Sequence, residues 1–487
     1  MNKNTFYIHL AIMFFCFFNV SGQDNHYWSV QNGAKSSLLG GAVVASWEDN
    51  SAIFYNPGAN AFINDPSISV SSDTYFFSSL NIENGAGENV DLQYNGLNSL
   101  PQIAAGVAKT YNKPDITISY GALNQGYSRI KITKNHEMLY DVLGNNPGQE
   151  SYLASYNYNK LFRDDWVGLG VSKKIRDNFG IGMSMFLTFT TVDYSSGVGS
   201  GALTVDVQNQ ITNADANYNE FEEMEFRHIG ALAKLGAAWI VSDFYFGLTV
   251  TVPRATIPLG NTNLSKSILL DIESQLPYTA RVQRFDEKLK STYKSPWIID
   301  FGVTLAKPKS QLMLRTAYHS DIDRYNMTDS ISNPSFSDIF LSRDQISLPF
   351  DERKSVFNVG LGYQRVLNES FELLMGFRTD FQFFDFSNYE EFTDFQWYYA
   401  NWDIYHLSSG ITWSVKDLQL TIGVSYAYGI GKDKTQVVNF TDPLEENFLL
   451  GIPDESARYR YDQLNVLIGF TYNIGKIDRN KDPENSD

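Results

Sequence analysis

Leu418-Gln419-Leu420-Thr421-Ile422-Gly423-Val424-Ser425-Tyr426-Ala427-Tyr428-Gly429 alternates without a break. The even positions are Leu, Leu, Ile, Val, Tyr and Tyr, and the odd ones Gln, Thr, Gly, Ser, Ala and Gly. Successive side chains of a β-strand point to opposite faces, so this segment has one apolar face and one face of small or polar groups. A strand in a transmembrane barrel turns the first to lipid and the second to the interior. The pattern recurs. Trp297, Ile299, Phe301, Val303 and Leu305 stand against Ile298, Asp300, Gly302, Thr304 and Ala306. Phe357, Val359, Leu361 and Tyr363 stand against Asn358, Gly360, Gly362 and Gln364. Leu464, Val466, Ile468, Phe470, Tyr472 and Ile474 stand against Asn465, Leu467, Gly469, Thr471 and Asn473.

What joins the strands separates a membrane barrel from a soluble sandwich. Tight turns are expected at 112–114, 177–178, 242–243, 307–310, 367–370 and 416–417. Between the pairs lie long polar stretches at 81–100, 130–164, 195–226, 256–294, 321–352, 385–401 and 431–459, read as loops. Short turns at one rim and long loops at the other mark an outer-membrane barrel, and soluble sandwiches rarely need connections of that length. The count is about fourteen strands, starting near Ser67, Gln102, Asp115, Asp165, Phe179, Arg227, Phe244, Ser295, Gln311, Lys354, Phe371, Trp402, Leu418 and Tyr459. The fold class is therefore all-β, a transmembrane antiparallel β-barrel. Trp166, Trp239, Tyr318, Phe384 and Trp413 are expected as interfacial girdle aromatics.

The ends fit export. Residues 1–22 read as a signal peptide: Lys3, an apolar run over 6–18 too short to span a bilayer, then Val20-Ser21-Gly22. Cys16, the chain's one cysteine, falls inside it, so the exported chain is expected to lack thiol and disulfide chemistry. No later run of about 20 apolar residues offers a membrane helix. The formal net charge of −17 argues against a nucleic-acid partner, since phosphate binding wants clustered Lys and Arg.

Residues 23–66 do not alternate. They carry a run of small residues, Gly33 to Ala45, then Glu48-Asp49-Asn50-Ser51-Ala52-Ile53-Phe54-Tyr55-Asn56-Pro57-Gly58-Ala59. This stretch resembles the FadL family of outer-membrane long-chain fatty-acid and hydrophobic-compound transporters. Its members have a similar small-residue run, an acidic-polar step, an aromatic and Asn-Pro-Ala, where this chain has Asn-Pro-Gly-Ala. The resemblance implies that 23–66 is a hatch, with Asn56, Pro57 and Gly58 as its motif, inside a barrel formed by 67–474. It implies a kinked third strand with a lateral opening, here over Gly121, Asn124 and Gly126. Hydrophobic substrate of the fatty-acid class would pass passively through a monomer, without cofactor, and leave sideways into the outer-membrane lipid. Barrels of this kind also serve as shuttles in type IX secretion, which makes a structural or secretion-accessory barrel with a protein partner the second reading. The family stops at its last strand with an aromatic; here 475–487 continue as a polar tail, expected in the periplasm.

Strand parity turns Lys234, Asp300, Arg315, Glu372, Arg378, Asp380 and His406 inward. Lys234, Arg315 and Arg378 are candidate cations for a substrate carboxylate. The competing expectation is that such charges pair with one another, as Arg378 with Asp380, or with the hatch. An enzyme is not expected: no HExxH, GxSxG, Walker or paired-cysteine pattern occurs, and His406 with Ser408 on one face is a weak constellation.

Overall fold

The computed structural model describes residues 25–47, 49–110, 113–144, 148–205, 211–272, 280–329, 348–386, 400 and 402–474. The expected signal peptide, residues 336–341 and 392–399 of two expected loops, and the polar tail lie outside them.

Fourteen antiparallel strands close into a barrel. In chain order they are β1 (Ser67–Glu83), β2 (Leu92–Thr110), β3 (Lys113–Tyr140), β4 (Glu150–Arg176), β5 (Phe179–Val205), β6 (Ile211–Val241) and β7 (Phe244–Thr251). Then follow β8 (Ile298–Lys307), β9 (Ser310–His319), β10 (Val356–Val366), β11 (Phe371–Asp380), β12 (Ile404–Val415), β13 (Leu418–Lys434) and β14 (Ala457–Asn473). Each pairs with the next, and β14 closes on β1 from Ser67↔Asn473 to Glu83↔Arg458. The expected strand count holds, as do the turns at 177–178, 242–243, 307–310, 367–370 and 416–417, while residue 112 of the turn expected at 112–114 lies outside the described residues; left-handed backbone at Ser242 and Lys416 marks two of the turns.

The rim differs from expectation. Stretches 81–100, 130–164 and 195–226 are largely strand, not loop. β6 has 31 residues, whereas about 10 suffice to cross a bilayer. Above the membrane the alternation reverses, with Tyr152, Ala154, Tyr156 and Tyr158 turned inward and Ser155, Asn157 and Asn159 outward, so a search for lipid-facing apolar residues misses it. The starts expected at Gln102, Asp165 and Arg227 thus fall inside strands that begin at Leu92, Glu150 and Ile211. Loop strands Asn261–Ile272 and Ala280–Lys290 extend the tall side further, beside β6.

Two surfaces follow from the parity. Outward lies an apolar belt, including Leu169 at 67% exposure and Leu407 at 59%. A continuous exposed belt of this kind fits lipid, not water. Inward, the tall half holds a packed cluster that includes Tyr152, Tyr158, Tyr194, Phe226, Trp402, Phe440 and Tyr461. Trp239, Tyr318 and Trp413 face outward as expected of a girdle. Trp166 and Phe384 do not; they are 5% and 3% exposed, inside the barrel. On β4 the lipid-facing positions are Val167, Leu169 and Val171, so parity sends Trp166 inward, where its indole N–H donates to Asp164 Oδ2 at 2.9 Å.

Candidate functional site: the N-terminal segment and the β2–β3 seam

Residues 25–64 are almost wholly buried against the inward faces of the strands. Two short helices, α1 (Ala34–Leu38) and α2 (Ala52–Tyr55), and a 3-10 turn at Ala59–Phe62 order the segment. Its backbone lies so close to the wall that the wall must be glycine there. A Cβ on Gly182 would stand 2.4 Å from Pro57 O, and one on its cross-strand partner Gly236 2.2 Å from Asn56 Oδ1. Asn56 Nδ2 donates to Val44 O (2.7 Å) and to Ala237 O of the wall (3.0 Å), and its Oδ1 accepts Gly58 N (2.9 Å). Ser172 Oγ donates to Pro57 O at 2.6 Å. The Asn56-Pro57-Gly58 motif is thus a turn fastened to β4, β5 and β6. The small inward residues of the strands are crowded by this segment.

The inward charges lie where parity put them, and the segment uses most of them. Arg315 pairs with Asp300 at 2.5 Å, donates to Gly41 O (3.4 Å) and stacks on Trp28, 4.2 Å from the ring centre. Arg378 and Asp380 hold one residue between them: Trp28 N donates to Asp380 Oδ1 (2.9 Å) and Arg378 Nε to Trp28 O (3.1 Å). Arg378 Nη2 also lies 2.9 Å from His406 Nδ1. Ser408 Oγ donates to Leu38 O (3.0 Å), so the His406 and Ser408 side chains both serve packing contacts here. Glu372 pairs with Lys35 at 2.8 Å. Lys234 differs. It is 3% exposed, its Nζ sits 4.2 Å from the Phe54 ring centre, and among the described residues it has no carboxylate partner within 4 Å.

The wall is open over a long stretch between β2 and β3. β2 and β3 pair from Thr110↔Lys113 up to Ile103↔Leu123 and no further. Above this point β2 stays on β1, and β3 stays on β4 as far as Tyr140↔Glu150, with a register shift between Asn124 and Gly126. Pro101 stands just above the last pair, opposite Ser72 of β1. At Gly126 a Cβ would come 2.7 Å from the Phe162 ring, so the shifted backbone there excludes a side chain. Gly121 lies below the break in the intact ladder, opposite Ala105 and Gly168.

Asn32 spans the seam. With its amide nitrogen turned to the wall it donates to Gln102 O on β2 (2.9 Å) and to Asn124 O on β3 (3.0 Å). It replaces the missing ladder bonds with a side chain of the N-terminal segment. Gln102 Nε2 reaches back to Ser37 Oγ (3.3 Å), Gln125 Nε2 to Tyr27 O (3.4 Å), and Asn124 Nδ2 crosses to Asp165 Oδ1 (2.9 Å). Val30, Phe76 and Leu100 fill the gap, with Tyr127 packed on them. Sequence reasoning missed Asn32, Pro101 and Gln102.

At the mouth a cleft is lined by Tyr156, Tyr218, Glu220, Glu222, Lys266 and Phe448, among others. Lys266 pairs with Glu220 at 2.6 Å and with Glu222 at 3.5 Å. Burial pushes the Glu222 carboxyl above the usual range, with Lys266 opposing.

No protein-family model and no curated protein sequence matches the chain. Solved structures do. A FadL homologue of Pseudomonas aeruginosa superposes with TM-score 0.55 at 13% identity, covering 93% of this chain and 100% of that one. The toluene transporter TodX of P. putida gives 0.54 at 10% identity over 91% and 99%. The monoaromatic hydrocarbon channel CymD gives 0.50 at 9% identity over 92% and 99%. At such identities the likeness is one of fold, and it extends over nearly the whole of both chains: this protein has the FadL-like outer-membrane channel fold.

Proposed function

We propose that the protein is a passive outer-membrane conduit for hydrophobic compounds, with residues 23–66 as its hatch and the β2–β3 seam as its lateral exit. One observation carries the reading. The apolar interior of the tall half, with Leu80, Leu92, Tyr94 and Ile130, stands above a second apolar group, Phe76, Leu100 and Tyr127, where the β2–β3 ladder stops short. An apolar solute gains by staying in such surroundings instead of crossing a hydrated pore. The fold neighbours include channels for toluene and monoaromatic hydrocarbons, which supports the substrate class. Long-chain fatty acids are the second substrate class, and Lys234 is the lumen cation left to meet their carboxylate. Arg315 and Arg378 are engaged by Asp300 and by the hatch.

The test is uptake into proteoliposomes of labelled oleate and of labelled toluene. Uptake above empty liposomes, abolished by Asn124→Trp in a barrel that still shows heat-modifiable migration, is the expected result. Absence of uptake of both compounds overturns the conduit and moves the reading to a barrel that binds a protein partner. One observation favours that second reading: the 436–453 connection folds into the mouth. Tyr218 stacks on Phe448 with 5.0 Å between ring centres, and Tyr152 OH donates to Leu449 O at 2.8 Å.

A further inference from the structure

The chain between β13 and β14 turns into the barrel mouth. Phe440 and Leu449 are fully buried there, and Val438 and Leu450 nearly so, in one apolar cluster with Tyr152, Tyr194 and Phe226 of the wall. Burial of apolar side chains draws a connection of this kind inward.

The two halves of the segment are held differently. Residues 437–440 run beside the β1–β2 turn and are bonded to it main chain to main chain. Val437 N donates to Gly85 O (3.0 Å) and Phe440 N to Ala86 O (2.9 Å). Residues 444–450 form a tip braced within itself: Leu444 N donates to Leu450 O (3.1 Å), Leu449 N to Leu444 O (3.0 Å) and Asn447 Nδ2 to Leu450 O (3.1 Å). Among the described residues the tip meets the inner wall through side chains. Tyr152 OH of β4 donates to Leu449 O (2.8 Å), Ser200 Oγ of β5 donates to Phe448 O (2.8 Å), and Phe448 stacks on Tyr218 of β6. At the rim Gly144 N donates to Glu445 Oε2 (3.0 Å). Phe448 and Leu449, whose carbonyls take the two inner bonds, are successive non-glycine residues in left-handed backbone, with φ of 56° and 58°. Bulky side chains disfavour that conformation, so the surrounding contacts must hold it. Asp442, between the two halves, is left-handed as well.

We propose that residues 436–453 are a lid over the barrel mouth, hinged beside the β1–β2 turn, whose tip at 444–450 swings out to open the apolar interior. Main-chain bonds keep the hinge, and the disfavoured backbone of the tip eases its release once the side-chain ties break. Tip and wall part along the cleft between them, which has Tyr218 and Lys266 on one side and Phe448 and Leu450 on the other. The lid gives the proposed conduit an entrance, yet its opening is measured without any solute, so either can fail alone.

Met224→Cys in a Cys16→Ser background tests this. Met224 is 0% exposed, in the interior below the tip and opposite Tyr194 and Leu264. A bulky, membrane-impermeant maleimide applied to intact cells alkylates this thiol at a rate that reports opening. Tyr152→Phe and Ser200→Ala together should raise the rate about 30-fold, each lost bond being worth roughly fivefold in the open population. The same pair should leave the alkylation of Val30→Cys at the β2–β3 seam unchanged, which separates lid opening from general loosening. A short glycine linker in place of 442–451 should give the fastest rate, and heat-modifiable migration reports folding of every variant. A wild-type lid that alkylates as fast as the linker variant overturns the proposal, because the mouth is then already open. A tether variant that leaves the Met224→Cys rate within twofold overturns it too, as does an equal rise at Val30→Cys.

Discussion

Replacing Asn32 by alanine removes the two hydrogen bonds by which it bridges β2 and β3 above Ile103, and leaves the bond from Tyr127 OH to Asn98 Oδ1 (3.3 Å) across the seam. Each such bond contributes roughly 1 kcal/mol net, so the closed seam loses about 2 kcal/mol. Since about 1.4 kcal/mol is tenfold, the open fraction should rise roughly 30-fold. Van der Waals filling by Val30, Phe76 and Leu100 is untouched, so the barrel stays folded. Two assays read the same quantity. Uptake of labelled solute should increase until another step limits it. The alkylation rate of Val30→Cys, a position 8% exposed within the seam, should increase in proportion to the open population. Cys16 is the chain's sole cysteine, so in a Cys16→Ser background the engineered thiol is read cleanly. Asn32→Asp should act in the same direction and more strongly, because a carboxylate then faces two carbonyl oxygens. Alkylation and uptake both within twofold of wild type, in a folded Asn32→Ala barrel, would refute the idea that this side chain holds the seam.

Gly236→Val places a side chain where Asn56 Oδ1 now sits and must displace the Asn56-Pro57-Gly58 turn; ion conductance in planar bilayers should rise while heat-modifiable migration persists. Arg378→Met strands the buried Asp380 and frees Trp28 O. Breaking a buried charge arrangement costs about 3 kcal/mol or more, so in a urea series proteolysis near residue 28 should precede barrel unfolding by a wider margin than in wild type. Lys234→Met should lower oleate uptake about tenfold, the worth of a charged hydrogen bond, and leave toluene uptake unchanged. An equal effect on both solutes would show that Lys234 does not read a carboxylate.

Much of this architecture is legible in the chain, for a local reason. The period of two is a property of the extended backbone, so Leu418 to Gly429 states which side chains meet lipid and which meet the lumen whatever the neighbours are. The same parity puts Asp300, Arg315, Arg378 and Asp380 inside, and applied to Val167 and Leu169 it also puts Trp166 there. Turn residues fix where strands reverse, which gives the fourteen-strand count. The extent of β3 to β6 above the membrane was missed, because there the apolar residues face the lumen and the polar ones water, the reverse of the lipid-facing pattern.

Tertiary structure alone decided the rest. Whether Arg315 waits for a ligand or pairs with Asp300 depends on β8 lying beside β9 and on Trp28 arriving from a segment nearly 290 residues earlier in the chain. Whether β2 and β3 pair to their tips depends on a bulge at Asn124 and on Asn32 reaching across from the lumen. Partner choice of this kind is set by the register of distant strands and by the closure of the barrel, and no local pattern in the sequence encodes it.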